Sequence, residues 1–118
     1  MALYLQEAFV NNLVNSITAI GLFNDGAELS GSNYVRVSIA PSTQLQVASD
    51  ADNYYITNVV QLSFPQATAD WGIFNQIGIF AGDDLWFLID VSSRAVRAND
   101  QVFIDVGQLL LIIPKSIV

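Results

Sequence analysis

The chain has 118 residues and is 53% hydrophobic but only 13% charged, with no cysteine and no histidine. That length suits one domain over residues 1–118, and so apolar a composition excludes disorder. Without Cys or His, disulfides, thiolate or imidazole zinc sites and the nucleophilic triads built on those residues are excluded as well.

The net charge of −7 leaves Arg36, Arg94, Arg97 and Lys115 as isolated cations. They form no stripe that could track a phosphate backbone, so no nucleic acid is expected as a partner. The charge-free windows Ala8–Asn24 and Asn53–Ala69 are studded with Asn, Ser, Thr or Gln. Neither supplies about twenty apolar residues in a row, so no membrane span is expected. The opening MALYLQEAF has no basic residue before its apolar stretch, unlike a secretory signal, and a soluble chain is expected.

In chain order, Leu5, Phe9, Leu13 and Ile17 recur at i+4 with polar residues between them, which predicts one amphipathic helix within residues 3–16. Period two follows. Ile17–Phe23 is a short strand before the turn Asn24-Asp25-Gly26, and Tyr34–Ile39 places Val35, Val37 and Ile39 on one face until Pro41. Leu45–Ala48 is a weaker strand before the polar turn at 49–53. Tyr54, Ile56, Asn58, Val60, Leu62 and Phe64 then share a face up to Pro65.

Trp71–Ala81 places Trp71, Ile73, Ile77 and Ile79 together, and Gly82-Asp83-Asp84 turns the chain into Leu85–Val91. Val102–Val106 and Leu109–Ile113 are expected to pair around Gly107-Gln108. No segment could serve as a crossover helix. The fold class is therefore mainly β: an antiparallel β-sandwich or barrel-like fold with one N-terminal α-helix. The expected core is Phe9, Leu13, Leu22, Val35, Val37, Val60, Leu62, Trp71, Ile77, Ile79, Phe87, Ile89, Ile104 and Leu111.

Chemistry is sparse. Asp50, Asp52, Asp83, Asp84, Asp100 and Asp105 lie mostly in turns, where Asp accepts local backbone hydrogen bonds. Asp50-Ala51-Asp52-Asn53 opens like a calcium loop but lacks its glycine and distal glutamate. No catalytic residue, cofactor or metal is expected, and the protein is read as a non-enzyme. Gly72 and Gly78 inside a strand read as packing or bulge positions. Trp86 and Phe103 fall on strand faces opposite their apolar neighbours, so they cover the helix, meet a partner chain, or lie in strands buried on both faces.

One ordered set of motifs spans nearly the whole chain. It runs through Gly21-Leu22-Phe23, then Glu28-Leu29-Ser30-Gly31-Ser32-Asn33-Tyr34-Val35-Arg36, then Phe64-Pro65-Gln66-Ala67-Thr68-Ala69-Asp70-Trp71-Gly72. Gly78-Ile79-Phe80, Asn99-Asp100 and Gly107-Gln108-Leu109 complete it. In this the chain resembles small structural proteins of tailed-bacteriophage virions, labelled tail-fibre or capsid decoration proteins. Asn99 stands where the family usually has glycine, but Asn tolerates the left-handed backbone a turn needs there. The hairpin tip at Ala81–Asp84 is shorter than usual. In the Phe-Pro…Trp-Gly block, Trp71 is expected to plug the sandwich end and Gly72 to permit close backbone approach.

The resemblance implies a virion structural component. Small size, high apolar content and the lack of a fibre repeat favour an oligomeric capsid decoration (cement) protein on the major capsid protein; a tail, baseplate or fibre-attachment protein is the alternative. A host-glycan module stacking sugars on Trp86, Tyr54 and Tyr55 is a third reading. Four basic and eleven acidic side chains cannot easily cover so apolar a domain, so self-association is expected, as a trimer before a dimer. The interface candidates are Tyr4 in the segment Met1–Tyr4, the off-face aromatics Trp86 and Phe103, and Ile117 and Val118 in the segment Pro114–Val118.

Overall fold

A computed structural model describes residues 2–117. Helix α1 (Glu7–Asn15) leads into β1 (Ala19–Asn24), β2 (Ala27–Glu28) and β3 (Val37–Ser38). The single-turn helix α2 (Pro41–Gln44) precedes β4 (Leu45–Ser49), β5 (Asn53–Asn58) and β6 (Leu62–Ser63). The long hairpin β7 (Gly72–Ala81) and β8 (Asp84–Val96) follows, then β9 (Phe103–Ile104) and β10 (Leu110–Pro114). Every strand pairing is antiparallel, as the lack of crossover helices requires.

The largest sheet runs β2-β1-β7-β8, with β3 also on β1; a second runs β10-β5-β4, and β6 pairs with β9. One core joins them. Ile20, Leu22, Ile77 and Ile79 from the first sheet meet Leu45, Tyr54 and Ile56 from the second, Leu62 and Ile104 from the third, and Val10 and Val14 of α1. The radius of gyration is 15.2 Å, against about 13.5 Å for a compact chain of this length. The excess matches the long hairpin, because β8 has 13 residues and extends for roughly 40 Å at the usual strand rise.

The turns behave as their residues dictate. Asp25 and Gly26 both have positive φ (47° and 86°) in the β1–β2 hairpin, the geometry that a two-residue Asp-Gly loop favours. Asp50 Oδ1 accepts the amides of Asp52 and Asn53 at 2.8 Å in the β4–β5 turn. Asn99 adopts φ 74°, so the left-handed turn survives without its glycine.

Five sequence expectations are corrected. Phe9 is 52% exposed while Val10 and Val14 are buried, so α1 is rotated about one residue from the Leu5–Phe9–Leu13 stripe. Its narrow β-branched ridge, not its broad one, lies on the sheet. Val35 is 59% exposed, while Tyr34 and Arg36 turn onto Glu28 instead. Val60 is exposed because β5 ends at Asn58, whose amide bonds the Val60 carbonyl and kinks the chain. Ile73 is exposed and Phe74 buried, because an irregularity between Phe74 and Gln76 sets Val91–Ser93 against Asn75 alone and shifts the pleat. Finally, β9 pairs with β6 and β10 with β5, so the last two strands do not form a hairpin. The α2 turn also escaped prediction; Pro41 starts it and Gln44 Oε1 accepts the Ala40 amide.

Candidate functional site

The sequence motifs converge on one layer over the outer face of the first sheet. Phe23 and Phe80 lie across it with ring centroids 5.8 Å apart. They can lie flat because Gly21 and Gly78 sit directly opposite each other in the β1–β7 register. A Cβ on Gly21 would come within 2.6 Å of Glu28 Oε2 and 3.0 Å of the Tyr34 hydroxyl, and one on Gly78 would run into the Phe23 ring. Gly78→Ala should therefore cost about 1–3 kcal/mol by overpacking, read from denaturant unfolding. A neutral result would mean that the Phe23 ring has room to move.

Over this floor, Arg36 holds Glu28 in a two-pronged pair, Nη2 to Oε1 at 2.8 Å and Nε to Oε2 at 3.0 Å. Its guanidinium also stacks 3.6 Å above the Phe80 ring centroid. The Tyr34 hydroxyl donates to Glu28 Oε2 at 2.7 Å and accepts the Leu22 amide at 3.0 Å. Burial alone would raise the Glu28 carboxyl, but the bonds from Arg36 and Tyr34 outweigh it and hold it below its ordinary range. Burial first, against the pull of the Leu22 amide, and then the Glu28 carboxylate push Tyr34 far above the usual tyrosine value.

These shifts set a pH window. Glu28, depressed in the fold, stabilises above the ordinary carboxylate range and loses that contribution as pH falls through its folded value. Tyr34, raised in the fold, stabilises below about pH 10 and loses that contribution as pH climbs past its unfolded value. Thermal unfolding followed against pH should show an alkaline fall that Tyr34→Phe reduces. An identical alkaline limb in that variant would remove Tyr34 from the account.

The Phe-Pro…Trp-Gly block docks on the same segment. Trp71 is 4% exposed, packs edge-on to Tyr34 at 5.2 Å, and donates from Nε1 to the Ser32 carbonyl at 3.0 Å. Gly31 lies against the indole, where a Cβ would sit 2.6 Å from Cδ1. Trp71 is thus buried in the core, as expected. Gly72 is needed for a different reason from the one the motif suggested: its φ is +97° and nothing crowds its Cβ position. It turns the backbone; it does not admit a neighbour.

The interface candidates do not gather in one place. Tyr4 (61% exposed) and Ile117 lie together, because the Tyr4–Ser116 bridge and the Ile117 amide to the Leu3 carbonyl pair the two ends of the described chain. Trp86 is exposed at an irregularity of β8, where Phe80 faces Leu85 and Ile79 faces Phe87. It borders a largely apolar groove of about 490 Å³ with Phe9, Leu13, Leu85 and Phe87. Phe103 edges a separate cleft of about 320 Å³ beside Arg94, Asp105 and Gln108. Val118 lies outside the described residues. The proposed sugar-stacking set is not assembled either: Tyr54 is buried with its hydroxyl on the Leu5 carbonyl, and Tyr55 is tied to Asp50 at 2.6 Å.

Sequence reading missed Phe9 as a groove residue, since helical period places it inside. It also missed the Glu28–Tyr34–Arg36 knot, for which the facing glycines of β1 and β7 were the available signal.

The motif residues pack a mainly β, antiparallel protein, and Asp50 and Asp100 accept nearby backbone amides in its turns. Residues 4–112 match the family model described as Podophage GP4 fiber I protein gp80, and the chain belongs to that family. No curated protein and no solved structure matches the chain.

Proposed function

We propose that this chain is a non-enzymatic structural component of a bacteriophage fibre, or of the place where a fibre joins the tail, and that it works as a homo-oligomer. The observation carrying this reading is the match to a phage fibre family over residues 4–112. The fibre alternative thereby gains over the capsid decoration role that small size and apolarity had favoured. Self-association has its own support in large exposed side chains, Phe9, Leu85, Trp86 and Leu88 among them, on a chain with few charges. Antibody labelling of intact particles should mark fibres or the tail. Label confined to the head shell would overturn the fibre reading in favour of decoration.

A further inference from the structure

Strand β8 is the edge of the largest sheet, and it is 13 residues long. Among the described residues no backbone hydrogen bond reaches its outer side between Asp84 and Ala95. An uncovered edge of this length is a template for another strand. The charges on it are unusual. Asp84 stands five residues before Ile89 and Arg94 five after it. Among the described residues neither side chain has a hydrogen bond or an ion pair within the chain.

We propose that the outer edge of β8 pairs antiparallel with β8 of a second copy, about a two-fold axis at Ile89. This deepens the self-association reading above and rests on it. In that register each Asp84 faces the other copy's Arg94, so both stranded charges are matched twice over. Leu85 and Trp86 face Ser93 and Ser92, bulky against small, and Phe87 faces Val91. The irregular stretch at Val91–Ser93 of one copy meets the one at Trp86 of the other, so local twists correspond. Leu88 faces Asp90, whose carboxylate is already held by Gln76 at 3.0 Å. Moving the axis to Asp90 would set two aspartates against each other, which disfavours that neighbouring register.

The flanking groove suits the same occupant. Its lining residues Phe9, Asn12, Leu13, Ser16, Leu85, Trp86 and Phe87 carry no charge. Two copies, each at −7, meet most easily where neither presents charge.

Sedimentation of the purified chain across concentration tests the pairing. Wild type should associate in twos. Arg94→Asp should weaken association on the order of tenfold, because each matched pair becomes a repulsion. The double exchange Asp84→Arg with Arg94→Asp should restore it. Arg97→Asp, the same charge change beyond the strand, should leave it nearly unchanged, and circular dichroism should show all variants folded. Failure of the double exchange to restore association, or equal weakening by Arg94→Asp and Arg97→Asp, would overturn the edge pairing. A three-fold mass would overturn the two-fold axis but leave self-association standing. A wild-type monomer at high micromolar concentration would overturn both.

Discussion

Trp71→Ala should destabilise the fold by about 3–5 kcal/mol, the range for removing a fully packed aromatic. The indole is nearly inaccessible and belongs to the core cluster. It meets the Tyr34 ring edge-on, the Gly31 backbone at close range and the Ser32 carbonyl through Nε1. Truncation leaves a cavity that these backbone contacts cannot collapse into, and it leaves the Ser32 carbonyl without the indole donor. Its own amide is bonded to the Val96 carbonyl at 2.9 Å, so the chain around it stays anchored. Trp71→Phe keeps most of the ring and loses the hydrogen bond, for an expected loss of about 1–2 kcal/mol. Urea unfolding measures both, as a drop in midpoint at unchanged slope. A loss well below 1 kcal/mol for the alanine variant would mean that the indole does not hold the two motif segments together.

The motif layer also shows what sequence makes legible. Period two located the strands because alternation is a local property: Tyr54, Ile56, Asn58, Leu62 and Phe64, read as sharing one face, are all buried, although of the five only Leu62 was expected in the core. Turn residues were readable for the same reason, since positive φ at Asp25, Gly26 and Asn99 depends on side chains at those positions. What escaped depends on partners distant in sequence. The pleat shift that buries Phe74 and exposes Ile73 arises where β8 supplies three residues against one, and nothing within β7 announces it. The rotation of α1 toward Val10 is decided by the sheet below it. Val35 looked like a core residue from alternation alone, and Val37 and Ile39 of the same face do reach the core, yet Val35 is exposed where Tyr34 and Arg36 turn onto Glu28 and Phe80. The surface candidates divide likewise: Trp86 was found from its face, whereas its neighbour Phe9 was hidden by helical period.

Asn58→Ala should cost about 3 kcal/mol, more than its size suggests, because the side chain satisfies the buried Leu109 amide and bonds the Val60 and Asp105 carbonyls besides. Asn58 is the one buried polar residue among those described, at 1% exposure. Its Nδ2 donates to the Val60 carbonyl at 2.8 Å and to the Asp105 carbonyl at 2.9 Å, while Oδ1 accepts the Leu109 amide at 3.0 Å. Its own carbonyl accepts the Gly107 amide at 3.0 Å. A single residue therefore joins the end of β5 to the turn between β9 and β10, the two strands that go to different sheets. Asn58→Asp separates the donor from the acceptor. It keeps an oxygen for Leu109 but faces two carbonyls with a buried carboxylate, whose folded pKa must rise. A raised value stabilises below the unfolded pKa and is lost as pH climbs, so this variant should be markedly less stable at neutral pH than near pH 4. Unfolding of wild type and both variants at the two pH values checks this. An alanine variant within 1 kcal/mol of wild type, or an aspartate variant equally stable at both pH values, would show that the turn carrying β9 into β10 is held by something other than Asn58.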